Sequence, residues 1–255
     1  MPDRAVSEVL SFVLVFSLIT LSVGTVSVFG LSSLQDTRNL ERIDNGERAF
    51  DVLADNQLDI AHGGAPSRAT EIKLAETTLT LADSLDSEVT LSDGTSLGRT
   101  ESRPVVFGQA GDSGNLSRGV VYEMGAVLRV DQGGAVMQRT PPFRFDENRT
   151  VIHYLTLESQ TGTVQRRSGS TTVLVRSVHG TTTLLAHHEP SDEVTITVDT
   201  EPRRAEAWKR YFETELDGMS DGTPCQPLDG SGTVTCSFET EDIRITRTTI
   251  RVQID

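Results

Sequence analysis

VLSFVLVFSLITLSVGTVSVFGL, from Val9 to Leu31, runs for 23 positions without a charged side chain. A helix needs about 20 apolar residues to cross a hydrocarbon core of roughly 30 Å, and the helices of soluble cores or ordinary secretory signals are usually shorter. The stretch reads as a transmembrane helix. Ser11, Ser17, Thr20, Ser22, Thr25 and Ser27 lie within it, but hydroxyls can bond back to the carbonyls of their own helix, so they do not veto insertion. Two fates stay open: a retained anchor, or a signal peptide cut beside the small residues Ser22 and Gly24 or Thr25 and Ser27. The weak basic region and the apolar length beyond both sites favour the anchor. Arg4 is the sole base ahead of the segment, with Arg38, Arg42 and Arg48 behind it. Charge asymmetry alone therefore gives little support to a cytoplasmic N-terminus.

Past Leu31 the apolar residues become periodic: Leu34, Leu40, Ile43, Phe50, Leu53, Leu58 and Ile60 stand among acids and arginines. Spacings of three, four and seven put most of them on one stripe, so the helix is expected to continue outward as a stalk. A helix from Ala5 to Ala61 would be about 85 Å long at 1.5 Å per residue. Gly46 is its weak point, costing about 1 kcal/mol relative to alanine, and Asn45-Gly46 is a place where the rod could break. His62-Gly63-Gly64-Ala65-Pro66 is the expected stop.

Beyond Ser67, short β-branched runs are divided by Gly, Asp, Ser and Pro. Strands are expected at 70–81, 88–91, 104–107, 119–123, 126–130, 135–138, 150–157, 171–178, 182–187, 193–198, 233–239 and 243–254. Turn signals such as Ser92-Asp93-Gly94 and His179-Gly180 fit antiparallel hairpins in a sandwich. Along the last strand, Ile243, Ile245 and Arg247 would share one face and Arg244, Thr246 and Thr248 the wet one. One later helix, 202–216, has Thr200 near its cap and Pro202 in its first turn. Trp208, Phe212 and Leu216 recur along it every four residues, as core anchors do. The fold class is α+β: a long N-terminal transmembrane and stalk helix, then an antiparallel β-sandwich-like head with one short helix.

Cys225 and Cys236 are the only cysteines. They flank Leu228-Asp229-Gly230-Ser231-Gly232 and read as a hairpin disulfide of an oxidising compartment, worth on the order of 3 kcal/mol. Two free thiols are the alternative. Asn115-Leu116-Ser117 and Asn148-Arg149-Thr150 are glycosylation sequons, which point to the same outer side of the membrane.

The net charge is −14, from 37 acids against 23 bases, and all of those bases except Lys73 and Lys209 are arginine. An acidic chain repels phosphate backbones, so nucleic acid is excluded as a partner. Dispersed carboxylates suit a high-salt medium, where the Debye length falls to roughly 3 Å at 1 M.

Arg4-Ala5-Val6-Ser7-Glu8-Val9-Leu10, running into the apolar stretch, resembles the start of archaeal type IV pilin-like proteins. The resemblance implies a leader of residues 1–5, a class III signal peptide, removed by a prepilin peptidase after Arg4 or Ala5. The following helix, residues 6–62, would stay in membrane lipid or pack against copies of itself and other pilin-like subunits. Glu8 falls near the acidic position that bacterial relatives use to meet a neighbour's new amino group, displaced by one or two residues. An interfacial carboxylate favouring the helix dipole is the alternative for Glu8. Three stretches of the head also resemble an uncharacterised group of pilin-like proteins from salt-loving archaea: 65–74, 125–128 leading to Thr140-Pro141-Pro142-Phe143, and 207–212.

Catalytic patterns give no enzyme. Gly111-Asp112-Ser113-Gly114 imitates a serine nucleophile loop with His62 as base, but the 51 positions from His62 to Ser113 leave little room for the first barrel of that fold. His62, His153, His179, His187 and His188 do not cluster as ligands; adjacent His187 and His188 should point to opposite faces, so neither a metal nor another cofactor is expected. Asp192-Glu193 and Glu241-Asp242 read as solvated surface. The sequence thus leads to a single-pass surface protein with a cytoplasmic N-terminus and an extracellular head, residues 67–255, in a structural or adhesive role such as a minor filament subunit. The alternative is a tethered surface binding module that does not polymerise.

Overall fold

The computed structural model describes residues 3–110, 116–162, 165–190, 193–220 and 222–255. Helix α1 spans Asp3–Ala61. It is followed by β1 (Ser67–Lys73), β2 (Thr77–Leu81), β3 (Leu85–Leu91), β4 (Ser96–Ser102), β5 (Val105–Ala110), β6 (Leu116–Glu123), β7 (Ala126–Asp131) and β8 (Gly134–Arg139). Then come β9 (Phe143–Arg144), β10 (Thr150–Ser159), β11 (Gln165–Gly169), β12 (Thr172–His188), β13 (Val194–Asp199), α2 (Pro202–Glu215), β14 (Thr233–Phe238) and β15 (Ile243–Ile254). The chain divides into two compact units, Met1–Asp44 and Asn45–Asp255. The first is helical; the second is β-rich, giving an α+β protein.

In the β-rich unit the strands form three sheets, ordered β1-β12-β15-β10-β9, β11-β2-β5-β6-β7-β8 and β14-β13-β3-β4. Pairing is antiparallel with one exception among them: β10 runs parallel to β15, with His153 opposite Thr246. The core draws on all three sheets and on α2, through Ile152, Tyr154 and Ile245, then Val121 and Leu128, then Val89, Ile196 and Phe238, closed by Trp208 and Phe212.

Residues 45–61, the last turns of α1, belong to this unit and present Phe50, Leu53, Ala54 and Ile60 as a buried stripe. Buried Gln57 donates from Nε2 to Ser177 Oγ at 2.7 Å. The Phe50 and Phe107 rings stand 6.2 Å apart. The helix does not break at Asn45-Gly46. A Cβ on Gly46 would lie 2.3 Å from the Phe107 ring, so the missing side chain is what lets helix and sheet approach.

Four other expectations change. The strand expected over 70–81 is two, because Ala75 and Glu76 take φ of 50° and 71° and the chain crosses there from one sheet to another. Conversely, 171–178 and 182–187 are one strand, β12; His179-Gly180 is a bulge in it, where the register slips between His179 and Thr182. Gly180 permits the slip, since a Cβ there would sit 2.7 Å from the Thr249 carbonyl. On β15 the alternation slips in phase, so that Thr248 is buried instead of wet. Finally, Glu201 caps α2 without a side-chain bond, and Thr200 is engaged elsewhere.

Candidate functional site

Within the first unit, Val9–Ser27 has a mean hydropathy of 2.3 and no buried residue. Thr20, Ser22 and Thr25 donate to the carbonyls of Phe16, Leu18 and Leu21 at 2.8, 2.8 and 2.7 Å, so their hydroxyls are satisfied inside the helix. Among the described residues this is the one helix long and apolar enough to cross a membrane. Arg4, Ala5, Val6 and Glu8 belong to α1 by backbone, but their side chains lie outside the described set, as do Asn115, the 111–114 loop and Asp192.

The β-rich unit gathers polar side chains in two places. The first is a file of histidines and threonines across the β12, β15 and β10 ribbon. His62, in the turn that closes α1, brings Nε2 to 2.7 Å from Nδ1 of His153 on β10. His153 Nε2 lies 2.9 Å from Thr248 Oγ1, Thr248 Oγ1 lies 2.9 Å from Thr182 Oγ1, and Thr182 Oγ1 lies 3.2 Å from His179 Nε2. Residues three apart on a regular strand face opposite ways. The bulge at Gly180 adds the step that brings His179 and Thr182 together. Burial, and then the neighbouring His62 ring, pushes His153 down to about 4; its imidazole is neutral at ordinary pH. Among the described residues no three His, Cys, Asp or Glu side chains form a metal-holding group. His187 pairs instead with Asp242 at 3.0 Å, and Arg149 Nε reaches the other Asp242 oxygen at 2.6 Å.

The second place is a buried carboxylate. Glu123, 1% exposed at the end of β6, accepts from Thr200 Oγ1 at 2.8 Å, from Arg204 Nε at 3.0 Å and from Trp208 Nε1. Arg204 is itself 5% exposed. An ion pair so desolvated holds only when the remaining polar atoms are bonded, and here they tie the first two turns of α2 to β6. The Trp208 ring packs on Tyr211 and Phe212. Sequence reasoning placed Trp208 in the core and missed Glu123. The available signal was an acid closing the apolar run Val120-Val121-Tyr122, opposite an Arg204 and Trp208 spaced i,i+4 on the packed face of a helix.

Near the 240s, a cavity of about 600 Å³ is lined by Glu147, Asn148, Glu193, Glu239 and Glu241 among others. One member of each expected surface pair therefore shares an opening. Asn148 is exposed, and its N–H donates to Asp146 Oδ1 at 3.0 Å in a turn. Cys225 and Cys236 are joined by a disulfide that links the loop after α2 to β14.

No curated protein and no solved structure matches this chain. Residues 4–253 match DUF7289, a family of unknown function, and with nearly its whole length covered the chain belongs to that family.

Proposed function

We propose that this is a membrane-anchored, type IV pilin-like surface protein whose β-rich unit stands outside the cell in a structural or adhesive role. The observation that carries the reading is the charge-free stretch Val9–Ser27, wholly exposed, with the hydroxyls of Thr20, Ser22 and Thr25 bonded within the helix. Such a surface needs a hydrocarbon medium. A disulfide in the β-rich unit supports an oxidising outer side. The resemblance around Arg4-Ala5-Val6 adds leader removal by a prepilin peptidase and an archaeal source, and the arginine-rich, lysine-poor acidity fits a high-salt medium.

Mass spectrometry of the mature chain from membranes tests this. The expected product starts at Ala5 or Val6 and stays with the membrane. A product starting near Thr25 or later would instead identify a removed signal peptide and end the proposal. Cross-links between neighbouring apolar helices would mark a filament subunit; their absence at native density would mark a tethered module.

A further inference from the structure

We propose that His62 and His153 form a two-imidazole site for one borderline divalent transition ion, Zn²⁺ or Cu²⁺, with Thr248 orienting the inner ring. The two ring nitrogens come from positions 91 residues apart and converge on one another, Nε2 of His62 against Nδ1 of His153 at 2.7 Å. Their planes are steeply inclined, at 71°, with centroids 4.6 Å apart. Imidazole nitrogen is a donor that suits both zinc and copper.

The hydroxyl file admits the tautomer that ligation needs. With His153 Nε2 donating to Thr248, Thr248 to Thr182, and Thr182 to His179, each hydroxyl donates once and accepts once. His153 Nδ1 is then a bare lone pair aimed at His62. A ligating histidine whose other nitrogen is bonded to a fixed partner is the usual outer-shell arrangement of metal sites.

In that tautomer a proton on His62 Nε2 bridges the two rings. A cation takes the same place when that proton moves through solvent to His62 Nδ1, so both ligands stay neutral and none is lost overall. Zinc holds nitrogen at about 2.0–2.1 Å, which in a tetrahedral site separates two donors by roughly 3.3 Å. The pair must open by about 0.6 Å on that measure. His62 can supply the movement: it is exposed and lies in the turn after α1, whereas His153 is held in β10. Water fills the other positions, as in sites that keep an open face.

The test uses the full chain in detergent, stripped with chelator and titrated with Cu²⁺ alone under electron paramagnetic resonance, then with Zn²⁺ as competitor. The expected result is one ion per chain coupled to two nitrogens, displaced by Zn²⁺ only in large excess, because copper binds a given nitrogen site more tightly. His62→Ala, at an exposed position, should weaken binding about tenfold or more and leave one coupled nitrogen. His153→Gln should do the same, with circular dichroism confirming the fold. Thr248→Val should weaken binding while keeping both nitrogens. His188→Ala should change nothing. Unchanged copper affinity in His62→Ala, or binding that follows His188 instead, overturns the proposal.

Discussion

Replacing Gly46 by alanine pits two well-calibrated effects against each other. In an exposed helix interior the change gains about 1 kcal/mol, because glycine has the larger conformational freedom to lose. Here the new methyl would lie 2.3 Å from Phe107 Cε1 and 2.6 Å from Cδ1. Carbon atoms rest at about 3.5–4.0 Å, so the overlap exceeds an ångström. Phe107 is fully buried and its ring faces Phe50, so it has nowhere to retreat. Overpacking of this kind costs about 1–3 kcal/mol, and the depth of the overlap puts it in the upper part of that range. Net destabilisation of about 1–2 kcal/mol follows, or several degrees in Tm. Thermal melts of the full chain in detergent measure it. The second arm is decisive: in a Phe107→Leu background the overlap disappears, and Gly46→Ala should then be neutral or stabilising. If Gly46→Ala raises Tm in the natural chain, or costs the same with and without the Phe107 ring, residues 45–61 do not pack against β5 as argued.

Removing one partner of the Glu123 and Arg204 pair strands the other, so Glu123→Leu or Arg204→Met should each cost about 3–5 kcal/mol in urea denaturation. The double variant should cost clearly less than their sum, and strict additivity would show that the pair does not interact. Replacing both cysteines by serine should lower stability by about 2–4 kcal/mol under oxidising conditions and abolish its dependence on reductant. Turn hydrogen bonds hold the carboxyls of Asp93, Asp146 and Asp229 below their ordinary value, chiefly through the groups of Thr95, Asn148 and Ser231. A folded pKa below the unfolded one contributes stability that is present above the unfolded value and lost as pH falls through the folded one. Stability should therefore decline on the acid side of pH 4, and replacing all three with asparagine should flatten that limb.

Legibility in the sequence tracked how locally each feature is encoded. That residues 9–31 form an apolar helix needed nothing but those residues. The central strands β10, β13 and β15 were readable because burial imposes a pattern on them; β4 and β11 were missed because they are sheet edges. Gln165–Gly169 is mostly exposed, so no alternation is required of it, and in Ser96–Ser102 the buried residues are the polar Thr100 and Ser102, which leave no apolar pattern. The turn at Ala75 and Glu76 lacked a glycine to announce its positive φ. Thr248 was assigned to the wet face because the slip in β15 answers irregularities in a different strand, β12. The His62 and His153 pair was invisible for the same reason at larger scale: a helix stop and a strand interior meet only once the sheet exists, and spacing along the chain carries no trace of it.

The apolar run and the turns just before the β-strands lie on one helix but differ in burial, and truncation separates them. A chain beginning at Thr37 keeps every residue of the β-rich unit, including the buried Phe50, Leu53, Gln57 and Ile60. It should be soluble without detergent and melt cooperatively, because the removed stretch has no buried residue between Val9 and Ser27. A chain beginning at Ser67 looks the tidier cut, since it starts at β1. It should fail, because Phe107 loses Phe50, Ser177 loses Gln57, and three large apolar side chains, Phe50, Leu53 and Ile60, leave the core. At about 2–5 kcal/mol for each large apolar group deleted, that loss rivals the whole stability of a domain. A cooperative melt from the Ser67 chain would show that residues 45–61 only decorate the β-rich unit; aggregation of the Thr37 chain would show that the apolar run contributes to the fold.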